Sequence, residues 1–169
     1  MNICPLPPYP ALGIIVFAAP LLLAALGGCT GDSATQQTVI LGGERFHLEL
    51  ALADAQRVQG LSDRPQIAPD GGMLFVFPAP VRHSFVMRRC LVPIDILFVD
   101  SSGYIVALHE MQVEPYERTD QELKPYGSDW PYQFAIELRA GSIQRLHLRQ
   151  GLMIGLGDAQ LEDLKKRAR

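Results

Sequence analysis

The sequence predicts a mainly β domain, a compact antiparallel β-sandwich or partly open barrel with one or two short helices. Three observations lead there. Large apolar residues alternate with polar or small ones in the stretch Glu44 to Leu52, six or more short strand-like runs follow one another at close spacing, and helical patterning is confined to small pieces. A parallel α/β architecture is disfavoured.

Phe46, Leu48, Leu50 and Leu52 alternate with Arg45, His47, Glu49 and Ala51, the period of a strand with one buried face. The folded part is expected to begin near Thr38. Asp54 can cap a short helix through Arg57 and Val58 that Gly60 ends. A loop containing Pro65, Pro69, Asp70, Gly71 and Gly72 leads to the apolar run Met73 to Phe77, a buried strand closed by Pro78 and Pro80. Ser84 to Arg88 is read as extended. Ile94 to Asp100 is a nearly all-apolar strand after Pro93, and Ser102 with Gly103 turns the chain into the long run Tyr104 to Val113, as in a hairpin. The polar stretch Glu114 to Pro131, with Tyr116, Tyr126 and Trp130, is a long surface excursion, and Phe134 to Arg139 is a strand again. Gly141 to Leu148 holds one helical turn or more, Leu152 to Leu156 a last short strand, and Asp158 to Arg169 a terminal helix. Its acids come early and its bases late, which suits the helix dipole.

Ahead of this domain, Leu12 to Leu26 is an apolar run broken only by Gly13 and Pro20, the length of a signal-peptide core and short of a bilayer span. It ends in Leu26, Gly27, Gly28 and Cys29, which resembles the lipobox of bacterial lipoproteins. Residues 1–28 are therefore expected to be a signal peptide, Cys29 the lipidated residue, 29–37 a flexible tether, 38–157 one domain and 158–169 a C-terminal helix. Such a chain is exported and anchored by lipid to the cell membrane or outer membrane, its domain on the periplasmic or extracellular side. Residues Thr30 to Gln37 span only about 25–30 Å when extended, so the domain stays near the surface. The net charge of −3 indicates no nucleic-acid partner. With Cys4 removed and Cys29 acylated, Cys90 has no disulfide partner and is expected to be a small buried hydrophobe.

Several residues recur in a known pattern. They are Gly60 and Leu61 with Arg64; Gly72, Met73, Leu74, Phe75 and Phe77; Phe85 and Met87; Pro93, Asp95 and Phe98; Gly103 and Ile105; Tyr126; and Glu137, Leu138 and Gly141. In order and spacing, from about Phe46 to Ile154, the chain resembles the bacterial and archaeal domain of unknown function 192. The resemblance implies a compact, mainly β domain, often exported or lipid-anchored, and no established activity. This chain has Ser62 where that pattern commonly has methionine, Val86 where it has tryptophan, and Arg89 with Cys90 where it has asparagine and threonine.

Three constellations suggest chemistry. Asp95 and Glu137 each interrupt an apolar strand, and buried carboxylates need partners, with Arg64, Arg88 and Arg89 in prospect. Together with Met73, Phe75, Phe85 and Met87 they outline a candidate ligand pocket. His83 and Met87 on one strand face, and His109 and Met111 on another, combine imidazole and thioether as copper ligation would, or fill core gaps. Cys90 beside Arg88 and Arg89 is a remote candidate nucleophile. Tyr116, Tyr126, Trp130 and Tyr132 form a recognition surface or pin their own loop, and Lys165, Lys166 and Arg167 touch anionic lipid or simply complement the dipole. The preferred expectation is an accessory module binding a small ligand or an envelope protein, with its cofactor unknown. A metal-dependent or carboxylate-based hydrolase and a copper-binding protein are the alternatives.

Overall fold

The computed structural model describes residues 35–169. The signal segment, Cys29 and nearly all of the tether lie outside the described residues. Among the described residues no helix is long and apolar enough to cross a membrane.

The domain is mainly β, a single open six-stranded sheet with three short helices. Strands β1 (Gln36–Leu41) and β2 (Glu44–Ala51) form a hairpin across Gly42 and Gly43. Both glycines have positive φ, 56° and 85°, as a tight two-residue hairpin turn needs. Helix α1 (Asp54–Gln59) and a loop carry the chain to β3 (Gly71–Val81). The hairpin β4 (Ile94–Val99) and β5 (Ile105–Met111) turns on Asp100, whose Oδ1 accepts the amides of Ser102 and Tyr104, both at 2.9 Å. Then come β6 (Tyr132–Arg139), α2 (Ser142–Arg145) and α3 (Asp158–Arg167).

The strand order is β1-β2-β3-β6-β4-β5. All neighbours are antiparallel except β2 and β3, which run parallel because the 52–70 crossover returns the chain to the same end of the sheet. The expectation of an antiparallel arrangement thus holds for four of the five pairs. Strand β3 runs on through Pro78 and Pro80, where the sequence suggested a stop. Its register to β6 breaks between Val76 and Val81, so neither proline is asked for a ladder hydrogen bond. Strand β1 opens at Gln36, inside the segment expected to be tether. The expected strands at Ser84–Arg88 and Leu152–Leu156 are only isolated bridges, Phe85 to Tyr126, Tyr104 to Met153 and Ile40 to Gly155.

Both faces of the sheet are covered, which is why β4 and β6 are buried almost throughout instead of alternating. One face packs Phe46, Leu48, Leu74, Leu97, Phe134 and Ile136 against Ile143 of α2, Leu161 and Leu164 of α3, and the 146–156 segment. The other packs Met73, Phe75, Ile96, Phe98 and Ala135 beneath irregular chain supplying Leu61, Ile67, Met87, Cys90 and Tyr126. A layer of loops is a less complete cover than packed helices.

Candidate ligand cavity

Strand β6 sends alternate side chains to opposite faces. Phe134, Ile136 and Leu138 enter the helix-covered core, and Ala135 and Glu137 face the loop layer. In the ladder Glu137 lies level with Met73 on β3 and Ile96 on β4, so an acid stands in the middle of an apolar surface. It is 6% exposed.

What lies over Glu137 is the end of α1. Gly60 stops that helix with φ 49° and ψ −137°, a backbone shape that suits glycine. A β-carbon there would sit 3.4 Å from the Phe75 ring and 3.6 Å from Glu137 Oε2, so a larger side chain would cover the acid. The Leu61 amide hydrogen-bonds the carboxyl, but Oε2 has no hydrogen-bond partner. Burial pushes the Glu137 carboxyl up to about 8, with the Leu61 amide pulling the other way. At neutral pH the acid is mostly protonated.

Above it opens a cavity of about 530 Å³. Phe75, Phe77, Val81 and Phe85 form apolar walls, with Phe75 and Phe85 edge to face at 5.0 Å. Charged residues ring the mouth in pairs. Arg57 bonds Asp54 at 2.6 Å and the Leu52 and Val76 carbonyls at 2.7 Å, with its guanidinium 5.3 Å from the Phe77 ring centroid. Arg88 bonds Asp120 at 3.2 Å and the Val58 carbonyl. The arrangement is an apolar chamber with one hydrogen-bonding group at its floor, the usual construction of a small-molecule site.

Of the sequence-derived pocket residues, Phe75, Phe85, Arg88 and Glu137 line this cavity, and Met73 and Met87 belong to the core of the same sheet face. Arg64 does not join them. It makes a two-pronged ion pair with Glu49, at 2.5 and 2.7 Å, beside a separate and more polar cavity of about 990 Å³ along the 64–72 loop. Asp95 is on the opposite face. It pairs with Leu138 in the ladder, and its Oδ2 accepts the Ile143 amide at 2.8 Å, so its partner is the backbone at the start of α2 and not an arginine. Burial still pushes its carboxyl above the usual range, with the Ile143 amide opposing. The expected Asp95–Glu137 pocket is therefore two separate carboxyls. Asp95→Ala should cost about 1–3 kcal/mol in urea denaturation, by stranding the Ile143 amide, and should leave ligand binding in the Glu137 cavity unchanged.

Cys90 is buried near Glu137, its thiol pushed up to about 12 by burial first and by Glu137 next, against a smaller pull from Arg88. A nucleophile needs the opposite shift, so this thiol is a core residue. Native protein should react with iodoacetamide at pH 8 at least ~100-fold more slowly than free cysteine; a comparable rate would show an exposed or activated thiol. Arg89, which bonds Asp63 and Tyr116 at the surface, adopts φ 53°. Asparagine, expected at this position from the resemblance, takes up that backbone more readily.

The four soft-ligand candidates separate. His83 is exposed on the Glu137 cavity, His109 donates its Nε2–H to the Gly127 carbonyl at 2.6 Å beside other cavities, and Met87 and Met111 are buried among apolar side chains. Among the described residues no three His, Cys, Asp or Glu side chains are placed to share a metal ion. In the aromatic excursion, Tyr126 and Tyr132 are buried and Tyr116 bonds Asp63 at 2.9 Å, so these pin the chain to its own domain; Trp130 is exposed. Sequence reasoning missed Gly60, Phe77, Arg57 and Asp120. The stop signal at Gly60 and the presence of Gly60 and Phe77 in the recurring pattern were the signals available; nothing in the sequence pointed to Arg57 or Asp120 as site residues.

No curated protein matches this chain. A protein of unknown function from Novosphingobium aromaticivorans is similar in structure, with TM-score 0.62 and 26% identity over 72% of this chain and 85% of that one. A putative transcription regulator from Sinorhizobium meliloti is similar with TM-score 0.59 and 33% identity, over 70% of this chain and 92% of that one. The family model of domain of unknown function 192, an uncharacterized ACR, matches residues 37–156, which is all of the sheet but Gln36, with α1, α2 and the loop layer. The chain belongs to the domain of unknown function 192 family.

Proposed function

We propose that this protein is an exported, lipid-anchored binding module, held to a membrane through Cys29 and receiving a small ligand in the Glu137 cavity. The observation that carries the binding half is the buried Glu137, a lining residue of the cavity whose Oε2 has no hydrogen-bond partner within the protein. A buried polar atom left unsatisfied costs about 1–3 kcal/mol, a cost that a bound ligand removes. The anchoring half rests on the Leu26 to Cys29 lipobox and the apolar run before it. A carboxylate-pair hydrolase fits less well, because Asp95 and Glu137 point to opposite faces. So does copper, because His83 and His109 serve different cavities. Transcription regulation, the role named for the Sinorhizobium meliloti protein, also fits less well, because a chain of net charge −3 carries no general attraction for nucleic acid.

Native mass spectrometry of the full chain, released from host membranes in mild detergent, tests both halves. Acyl chains on Cys29 and a dissociable small-molecule adduct are expected. The exposed α1 residue Val58 lines the cavity, and Val58→Trp should plug it and remove the adduct. A bare, unacylated polypeptide would refute the proposal.

A further inference from the structure

We infer that the Glu137 cavity, taken as the ligand site proposed above, selects an organic ammonium ion with an apolar body, its cationic head seated against Glu137 Oε2 and its body against Phe75, Phe77 and Phe85. The charge inventory favours a cation. Each guanidinium that frames the mouth is already engaged, Arg57 by Asp54 and two carbonyls, Arg88 by Asp120 and the Val58 carbonyl. Neither bonds or ion-pairs Glu137. From the loop layer only Cys90 and His83 add titratable groups; the thiol stays protonated and the imidazole is exposed. Arg169 also lines the cavity, but it is exposed, so its charge is screened by solvent. An anion would meet the Glu137 carboxyl with no countercharge beside it.

An ammonium ion supplies what the floor lacks, a positive charge and N–H donors together. Aromatic rings around a carboxylate add attraction for the same cation through their faces, an attraction strengthened by exclusion of water. Binding at pH 7 then carries a defined proton balance: the ammonium enters charged, Glu137 gives up its proton to the buffer, and the pair is neutral inside the cavity. Arg57 and Asp54 on α1, with Arg88 and Asp120 across the mouth, remain paired throughout.

The test uses hexylammonium and its neutral counterpart 1-hexanol, titrated by calorimetry into the full chain in lipid nanodiscs at pH 6, 7 and 8. An alkyl amine stays protonated over this range, as the lysine amine does with its pKa of about 10.4. Hexylammonium is expected to bind at least ~10-fold more tightly at pH 8 than at pH 6 and to release protons, while 1-hexanol shows no such trend. Glu137→Gln keeps the shape and removes the charge; it should weaken hexylammonium at least ~10-fold at pH 8 and leave 1-hexanol within about 3-fold. Equal binding of the two probes, unaffected by Glu137→Gln, would overturn the ammonium inference and leave the cavity a ligand site. Binding of neither probe would also overturn it, and the native mass spectrum would decide the broader proposal separately.

Discussion

Replacing Gly72 with alanine should unfold the domain or cost it at least ~3 kcal/mol, among the largest effects a single methyl can have. Gly72 has φ 146°, and a β-carbon there would lie 2.2 Å from the Glu137 carbonyl oxygen, with Leu138 and Leu48 at 3.1 and 3.2 Å. The first obstacle is main chain held in the β3–β6 ladder, which cannot rotate away as a side chain would. Relief requires prying apart the two central strands, and those strands position Glu137. Urea denaturation of the compact unit 33–169 reads the effect, and a midpoint near wild type would mean that the strands are looser than their packing indicates.

The second large effect is a dependence of stability on pH that disappears with one acid. Glu137 has a folded-state pKa raised from 4.5 to about 8. Between those values the unfolded chain has lost a proton that the folded chain retains, so unfolding releases a proton and stability falls as pH rises. The contribution is full below about pH 4.5 and gone above about pH 8, with a slope approaching ~1.4 kcal/mol per pH unit and a total on the order of 5 kcal/mol. Asp95, also raised, adds a decline of the same sign near the lower end. Glu137→Gln retains the Asp95 part and lacks the rest, so the difference between wild-type and variant curves from pH 5 to 9 isolates Glu137. Parallel curves would show that Glu137 ionises freely in the folded protein.

The local pattern of the sequence made much of this fold readable. Alternation from Phe46 to Leu52 became β2, the Ser102–Gly103 turn became the β4–β5 hairpin, and the charge gradient after Asp158 became α3. What failed was what depends on partners. The strand β1 begins with the polar Gln36, Gln37 and Thr38, exposed or half-exposed at the sheet edge, and carries no pattern until Val39 and Leu41. The parallel β2–β3 pairing follows from where a crossover lands, which no local spacing encodes.

The candidate site shows the same limit more sharply. Glu137 stood out because an acid in an apolar strand is costly, and Asp95 stood out for the same reason. Parity within each strand fixes which residues share a face, but not which face of β4 aligns with which face of β6. The register, Asp95 with Leu138 and Glu137 with Ile96, separates the two acids by one residue and hence by the thickness of the sheet. Arg64 was diverted by Glu49 on β2, a partner that only the crossover brings near. The cavity walls came from Phe77, the last residue of an expected strand whose facing the sequence did not decide, and from α1, whose position over the sheet is a tertiary fact.

The proposed binding role rests on Glu137 being a buried carboxyl without a full set of partners. Carbon-13 NMR of the side-chain carboxyl, assigned by comparison with Glu137→Gln and followed from pH 3 to 10 in ligand-free protein, measures this directly. The expected midpoint is about 8, set by burial with only the Leu61 amide in opposition. A midpoint near the ordinary glutamate value of about 4.3 would mean that the carboxyl is solvated or already paired, and the cavity would lose the group that gives it a ligand to wait for.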